Sequence, residues 1–223
     1  MNDIEVVIPV AGRGSRLGME LPKCLVPVWG KTIIEWQLQS LKECDVQVTL
    51  IVGYKADQVI EFVSSLDPSV QFIENPDFEK TGTASSIRIA AEHLKSVSFM
   101  AIAGDVLISP SSCLRVLNAS TPVLGLTKQL TPVGVKVDVV EDHVISFATE
   151  SESLLEWSGV FLTTTCAAQK FGKGHVYTEL VPSLPLPFVC IECHEVDTPT
   201  DLENAEIWMS KMTTARGGQW KKK

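Results

Sequence analysis

Hydrophobic runs alternate with segments of helical period along the first half of the chain. Apolar runs of strand length lie at residues 4–10, 46–52, 70–73 and 97–103. Between them, apolar residues recur at helical spacing over residues 32–42, 56–64 and 85–93. Strands that alternate with helices are typical of βαβ units, which stack into a parallel sheet covered by helices. The first half therefore predicts an α/β fold.

The pattern changes after residue 105. Strand-length apolar runs then follow one another with only short helical candidates between them, at residues 123–126, 133–140, 144–147 and 159–163. A last strand is predicted over residues 189–196, and a closing helix is predicted from Pro199 through Met209, since proline is favoured in a first helical turn. We expect a Rossmann-like three-layer sandwich around a central mixed, mainly parallel sheet.

The length of 223 residues predicts one domain. Hydrophobic residues make up 45% of the chain and charged residues 21%, as in a soluble globular protein. Residues 1–210 are expected to form a single domain, because the length leaves little room for two. Residues 211–223 are basic, contain turn residues and lack a core pattern, so this tail is expected to be disordered.

Charge and hydropathy exclude two classes of partner. The 19 Lys and Arg residues face 27 Asp and Glu residues, for a formal net charge of -8, whereas nucleic-acid binding needs clustered basic groups. No apolar run reaches the roughly 18 residues of a membrane helix, and the acidic start does not resemble a signal peptide. We expect a cytoplasmic protein that binds neither nucleic acid nor membrane.

The six cysteines are expected to be reduced thiols, because a chain of this length needs no disulfide framework. Two of them belong to Cys190-Ile191-Glu192-Cys193-His194, which spells a haem-attachment motif. The motif lies within a predicted strand, and two cysteines are an incomplete zinc set. Haem and zinc are therefore disfavoured.

A glycine-rich loop directly follows the first predicted strand. It reads Ala11-Gly12-Arg13-Gly14-Ser15-Arg16-Leu17-Gly18 and leads to Pro22-Lys23. Glycines at the carboxyl end of a parallel strand let backbone N–H groups approach phosphate oxygens, because no Cβ blocks them. With two arginines and a lysine nearby, the loop predicts a local phosphate site. A surface turn whose glycines serve only backbone geometry is the disfavoured alternative.

The spacing excludes two commoner phosphate loops. The dinucleotide fingerprint G-x-G-x-x-G would need glycine at position 17, where Leu17 stands. A P-loop ending at Gly30-Lys31-Thr32 would need glycine at position 25, where Leu25 stands. The loop therefore belongs to a different kind of phosphate site.

The loop and the following segment PKCLVPVWGKTIIEWQLQSL resemble the signature of nucleotidyltransferases that join an NTP to a phosphorylated acceptor and release pyrophosphate. These include sugar-1-phosphate nucleotidyltransferases and the phosphocholine cytidylyltransferases of bacterial surface-polymer synthesis. The resemblance covers nearly the whole chain, because acidic motifs further on match in order. It implies a fold of the nucleotide-diphospho-sugar transferase type.

The resemblance also implies roles for the loop. Arg16 would stabilise the leaving pyrophosphate, and Lys23 would bridge the α-phosphate and the acceptor phosphate. Positioned cations suit a reaction in which two anions approach each other and negative charge builds in the transition state. The turn from Gly12 to Gly14 would hold the β- and γ-phosphates, and the nucleotide-binding residues expected in the loop are Ala11, Gly12, Arg13, Gly14 and Ser15.

Two aspartates are the expected metal ligands. Asp105 follows the strand of residues 97–103, and the carboxyl ends of strands are where open α/β sheets bind ligands. Asp197 stands between the last strand and the last helix, and the resemblance places the metal at these two positions. Mg²⁺ prefers one or two carboxylates with phosphate oxygens and waters. An ordinary turn residue is the alternative for Asp105, and a turn or helix-capping role is the alternative for Asp197. Asp201 is expected to interact favourably with the helix dipole.

The remaining expected contacts concern the base and the acceptor. The helix start that resembles the base-contacting loop contains Gly82, Thr83 and Ser85, with Ser85 as a plain helix cap the alternative. The tentative acceptor residues are Glu156, Trp157, Tyr177 and Glu179. An aromatic face beside carboxylates suits a cationic head group such as choline, although a core position is equally typical of Trp157.

Together these features predict an Mg²⁺-dependent nucleotidyltransferase. It would transfer a nucleoside monophosphate from an NTP, with CTP favoured, to a phosphorylated acceptor such as phosphocholine by direct in-line displacement. A sugar-1-phosphate nucleotidyltransferase and a non-catalytic nucleotide-binding regulatory subunit are the alternatives, and a homodimer is compatible with the sequence. An isoprenoid cytidylyltransferase is disfavoured, because AGDVLIS replaces its H-D-x-A-R-P motif.

Overall fold

A nine-stranded mixed sheet runs through the protein, whose structure is a computed structural model describing residues 4–129, 134–148 and 150–215. The strands are β1 (Glu5–Pro9), β2 (Pro27–Val28), β3 (Lys31–Thr32), β4 (Val48–Val52), β5 (Gln71–Glu74), β6 (Ser98–Ile102), β7 (Val106–Ile108), β8 (Val123–Lys128), β9 (Lys136–Val140), β10 (His143–Ala148), β11 (Leu155–Thr164), β12 (Leu186–Cys190) and β13 (Cys193–Glu195). The α-helices are α1 (Ile33–Leu41), α2 (Ala56–Leu66), α3 (Thr83–Ala91), α4 (Pro110–Leu117), α5 (Thr165–Ala168), α6 (Val176–Leu180) and α7 (Pro199–Ala215).

The order of the large sheet is β5-β4-β1-β6-β11-β8-β12-β10-β9. The first four strands are parallel, with Val7 opposite Thr49 on one side and Ala101 on the other. From β11 onward most neighbours are antiparallel, and β8 with β12 is a parallel pair. The mixed sheet expected from the loss of helical crossovers after residue 105 is confirmed.

Helices cover both faces of this sheet. Alternate residues of β1 enter different cores, since Val6 and Ile8 pack with residues of α1, α2 and α4, whereas Val7 packs with residues of α3, α5 and α6. This alternation follows from the two-residue period of a strand. The expected three-layer α/β sandwich is therefore confirmed.

A third hydrophobic cluster lies beside the glycine-rich loop and joins distant parts of the chain. Trp36 is fully buried in it, and its Nε1 donates a hydrogen bond to Val28 O at 2.7 Å. A capping box between Thr32 and Glu35 starts α1 next to it. Its buried members are Leu17, Val26, Val28, Ile33, Trp36, Leu107, Val196, Ala205 and Met209. The loop, α1, β7 and α7 are thereby packed together.

The C-terminal part differs from expectation in two places. The strand predicted over residues 189–196 is two strands, because Ile191 N still bonds Leu126 O of the large sheet while Cys193 pairs with Ile108 of β7 in a separate two-stranded sheet. The last helix continues past Met209 to Ala215, so disorder from residue 211 is wrong for residues 211–215. The rest of the predicted tail, residues 216–223, and the predicted strand start at residue 133 lie outside the described residues.

Within the described ranges, no helix combines the length and the apolar character that crossing a membrane requires.

Gly104 is expected to be required for stability, because the turn after β6 packs directly against β1. A Cβ at this position would lie 2.5 Å from Pro9 O, so Gly104→Ala should lower the free energy of unfolding by about 1–3 kcal/mol. Urea unfolding measures this change. Gly12→Ala is the matched control, because a Cβ there meets nothing within 4 Å, and its effect should stay below about 0.5 kcal/mol. Equal urea midpoints of unfolding for the two variants would contradict the close packing of Gly104 against β1.

Candidate active site

The glycine-rich loop leaves the carboxyl end of β1 and folds back over it. Gly14 adopts the left-handed conformation at φ +62°, and a Cβ there would lie 2.7 Å from Lys23 Cβ, so glycine allows the lysine stem to pack against the loop. Leu17 is buried in the third hydrophobic cluster and anchors the loop. Of the predicted phosphate-binding residues, Ala11 is buried, whereas Gly12, Arg13 and Ser15 are exposed. Backbone at an open loop is therefore available to a ligand.

Lys23 lies between two aspartates from distant parts of the chain. Its Nζ is 2.6 Å from Asp105 Oδ2 and 2.6 Å from Asp197 Oδ1. Only 13% of the lysine side chain is exposed. Burial lowers the pKa of Lys23, but the two aspartates together outweigh it and raise the pKa above its usual value. The ammonium therefore stays charged, and the three predicted residues form one cluster.

Arg16 joins this cluster from the open side, because its guanidinium pairs with Asp197. Its side chain is 74% exposed, so it keeps freedom to move toward a ligand. Arg13 points elsewhere and pairs with Glu79, while its guanidinium carbon lies 5.4 Å from the ring centre of Tyr54. The two loop arginines therefore occupy different sides of the loop.

Backbone hydrogen bonds fix both aspartates. Val196 N donates to Asp105 O at 2.9 Å, so β13 holds the turn that follows β6. Asp201 Oδ2 accepts from the backbone N–H groups of Asp197 and Thr198 at 3.3 and 2.8 Å. Asp201 thus caps the start of α7 and orients Asp197, in keeping with its expected helix-terminal position.

Glu195 also belongs to this site, although it was not among the residues predicted from the sequence. Carboxylate oxygens of Asp105, Glu195 and Asp197 all lie within 4.8 Å of one another. Loss of hydration around the carboxyl, and then repulsion by Asp105, raise the pKa of Glu195 to about 7, against the opposing pull of Lys23. The residue as a whole is exposed, so crowding at its carboxyl end causes the shift. Its position two residues before Asp197, a spacing that puts two side chains on the same side of an extended chain, is the signal that could have revealed it.

The three carboxylates fit a divalent metal ion. Hard cations such as Mg²⁺ take oxygen ligands from one or two carboxylates and complete their shell with phosphate oxygens and water. Asp105 and Asp197 would hold such an ion, with Glu195 beside them. Lys23 already neutralises part of their charge, so a metal ion must compete with its ammonium.

The predicted base-contacting residues lie at the start of α3. Gly82 N donates to Lys173 O at 2.6 Å, and a Cβ at Gly82 would lie 2.3 Å from Gly174 O, so only glycine fits this approach. Thr83 is exposed, whereas Ser85 is buried. The alternative of Ser85 as helix cap is wrong, because α3 begins at Thr83 and Gly82 occupies the cap position.

Two of the four tentative acceptor residues meet around Phe147. Its ring centre lies 5.8 Å from that of Trp157, edge to face, and 6.0 Å from that of Tyr177. A cavity of about 370 Å³ opens here. The residues that line it are Val135, Phe147, Ala148, Glu150 and Tyr177. Glu150 and Phe147 were not among the predicted residues.

The other two acceptor candidates lie apart from this lining. Glu156 is buried, and a Cβ at Gly134 would lie 2.2 Å from its Oε2. Glu179 lies against Gly172, where a Cβ would be 2.9 Å from its Oε1. Neither is among the described residues that line the cavity.

Strand β11 connects the cavity to the aspartate turn. Trp157 N donates to Val135 O at 2.8 Å on the cavity side. Two residues later, Gly159 O accepts from Ala103 N at 3.0 Å, directly before Gly104 and Asp105. The same strand therefore bonds to Val135 of the cavity lining and to the residue two positions before Asp105.

Known proteins share parts of this sequence and its fold. Residues 6–129 match the family model of the MobA-like NTP transferase domain. The CMP-5'-(3-aminopropyl)phosphonate synthase of Streptomyces rubellomurinus is 29% identical over 176 residues, which are 71% of this chain and 28% of that protein. The bifunctional protein GlmU of Lactococcus lactis is 34% identical over 120 residues, 52% of this chain and 25% of that protein. The chain thus spans about a quarter of the length of these relatives.

Among solved structures, the inositol-1-phosphate CTP transferase from T. maritima superposes with a TM-score of 0.81. The match covers 96% of this chain and 97% of that one at 22% sequence identity. At this identity the likeness shows a common fold, and the nucleotide-diphospho-sugar transferase type of α/β sandwich is confirmed.

Lys23→Met is expected to increase the affinity of the nucleotide-free protein for Mn²⁺ about tenfold. The substitution removes the ammonium that competes for Asp105 and Asp197, and a tenfold change corresponds to about 1.4 kcal/mol. Titration of Mn²⁺ followed by electron paramagnetic resonance measures the affinity. Lys31→Met is the matched control, because Lys31 lies over the Trp36 ring outside the charged cluster. Unchanged affinity in Lys23→Met would contradict the competition.

Proposed function

This chain belongs to the family of MobA-like NTP transferase domains, and we propose that it transfers CMP from CTP to a phosphorylated or phosphonate acceptor with a cationic group. Nucleotidyl transfer is the chemistry of the family, and the nucleotide and the acceptor are our proposals. The observation that supports nucleotidyl transfer at this site is the Lys23 ammonium, held by Asp105 and Asp197 beside an open glycine loop. A largely buried cation and two carboxylates able to hold a metal ion would thus face the triphosphate.

The proposed reaction is a direct displacement. An oxygen of the acceptor phosphate attacks the α-phosphorus of CTP, the bond from that phosphorus to the β-phosphate oxygen breaks, and pyrophosphate leaves. When bound, a divalent ion, with Mg²⁺ the expected one, supplies charge neutralisation at the triphosphate from its place on Asp105 and Asp197. No nucleophile from the protein is needed.

The residues of the chain would act as follows. Backbone N–H groups of the loop bind the β- and γ-phosphates. Lys23 exchanges a carboxylate partner for an oxygen of the α-phosphate and offsets the repulsion between CTP and the incoming acceptor. Arg16 is exposed and pairs with Asp197, and its guanidinium would stabilise the negative charge that develops on the leaving pyrophosphate.

The preference for CTP rests on two comparisons. The name of the Streptomyces rubellomurinus relative describes a CMP product, and the T. maritima structure is of a CTP transferase. The start of α3 would receive the base, where Gly82 and exposed Thr83 bring small groups to the surface.

The nature of the acceptor rests on the cavity beside β11. Aromatic rings attract a cation to their faces, and Phe147 and Tyr177 line the cavity together with the carboxylate-bearing Glu150. This lining suits an ammonium group linked to a phosphate or phosphonate. A sugar-1-phosphate acceptor is the second candidate, favoured by the similarity to GlmU.

Pyrophosphate release should be fastest with CTP and an ammonium-bearing acceptor. The assay combines each of the four NTPs and Mg²⁺ with phosphocholine, 3-aminopropylphosphonate and glucose-1-phosphate, a sugar phosphate without an amine. Release with UTP and the sugar phosphate alone would favour the second candidate. Nucleotide binding without release from any pair would favour a regulatory subunit.

The same assay tests the roles of the charged residues. Lys23→Ala and Asp105→Ala should each lower kcat by about 10²–10³, as expected when a group that stabilises transition-state charge is lost, whereas Lys31→Ala should retain wild-type activity. A covalent nucleotidyl-enzyme would overturn the direct displacement.

The aromatic cavity should recognise positive charge. The wild-type protein is expected to use phosphocholine with a KM roughly 3- to 30-fold below that of its uncharged carbon isostere, 3,3-dimethylbutyl phosphate. Tyr177→Leu should remove most of this difference and leave the KM for CTP unchanged, since Tyr177 lines the acceptor cavity. Steady-state kinetics with both acceptors measure the effect, and an unchanged preference in the variant would place the cation elsewhere.

A further inference from the structure

Gln37 lies in the middle of α1 and is fully buried. Its Nε2 donates hydrogen bonds to Ala103 O and to Val106 O, each at 2.8 Å. These two carbonyl groups flank Asp105, the first two residues before it and the second one residue after it. One side-chain amide thus spans the turn that presents Asp105.

The side-chain amide of Gln37 is favoured at this buried position by the hydrogen bonds that its nitrogen donates, and not by its oxygen. Gln37 Oε1 is buried and has no hydrogen-bond partner among the described residues, and an unpaired buried carbonyl is destabilising. A methionine would fill the same space without that penalty. The opposite amide orientation would aim Oε1 at two carbonyl oxygens, which also only accept. The two donated bonds therefore account for a glutamine at this position.

Helix α1 is also fixed to the segment that carries Lys23. Ile33 N donates to Val26 O at 3.1 Å, and Trp36 Nε1 donates to Val28 O at 2.7 Å. The helix therefore contacts the lysine segment at its start and the aspartate turn at Gln37. The helix therefore fixes the position of the Lys23 segment relative to the Asp105 turn, and the Lys23 Nζ and Asp105 Oδ2 atoms lie 2.6 Å apart.

We propose that Gln37 is a positioning residue, which sets the place of the Asp105 carboxylate relative to Lys23 and to a bound divalent ion. Its role in turnover rests on the proposed function, whereas its role in placing Asp105 does not. Gln37 itself would touch neither substrate nor metal. It would act only through the backbone on both sides of Asp105.

Ser40 supplies a matched control on the same helix. It is buried, and its Oγ lies 2.7 Å from Ile108 O. Gln37 and Ser40 thus both tie α1 to the chain after β6, but Ile108 lies three residues beyond Asp105. Ser40→Ala removes a buried hydrogen bond of α1 without freeing the carbonyls that flank the aspartate.

The experiment compares Gln37→Met and Ser40→Ala in the full chain. Both should lower Tm, since each loses buried hydrogen bonds. Only Gln37→Met should raise the Kd for Mn²⁺, titrated as the metal alone and followed by electron paramagnetic resonance, by about tenfold, the size typical when a ligand loses its supporting shell. Only this variant should also lower kcat about tenfold or more at an unchanged KM for CTP.

Equal Mn²⁺ affinity in the two variants would overturn the proposal, even if both had lost stability. Parallel losses of activity in both variants would likewise make the role of Gln37 structural. If the wild-type protein released no pyrophosphate with any substrate pair while Gln37→Met still weakened Mn²⁺ binding selectively, the positioning role would stand and the proposed function would fail. The Mn²⁺ titrations should be repeated with both substitutions in the Lys23→Met background, because the higher Mn²⁺ affinity expected there makes a change in Kd easier to measure.

Discussion

The pairing of the Lys23 ammonium with Asp105 and Asp197 is the constraint on which the arrangement of the site depends. Charges withdrawn from water are tolerated only when paired, and here the partners come from the loop after β1, the turn after β6 and the end of β13. The first two meet because β1 and β6 are parallel neighbours whose carboxyl ends share one edge. The third arrives because β13 pairs with β7.

The sequence predicts the parallel part of the fold well, because each buried strand there is one continuous apolar run. β1, β4 and β6 fall within their predicted runs. Residues 189–196 were also predicted as one strand, yet the segment contains parts of two strands, because the partner changes from Leu126 to Ile108 within it. The hydropathy of a segment indicates whether it is buried, but it does not indicate which strand pairs with it.

The same distinction explains what was predicted of the site. Arg16, Lys23, Asp105 and Asp197 stand at strand ends or in the loop, so local pattern and charge pointed to them, and they meet in the structure. Gln37 was not predicted, because a polar residue on a helix reveals its purpose only through the distant carbonyls that it contacts. Phe147 and Glu150 were missed for a similar reason, since only the fold brings Phe147 of β10 against Tyr177 of α6 and puts Glu150 in the same cavity lining.

The third hydrophobic cluster has a consequence for the protein during its synthesis. The glycine loop and Lys23 leave the ribosome early, but Val196, Ala205 and Met209, which complete the cluster, leave late. A nascent chain that ends before residue 193 has the glycine-rich loop and Asp105 but neither Glu195 nor Asp197. Such a chain holds a lysine with one of its two acidic partners, so the charged site is assembled only when translation has delivered the closing helix.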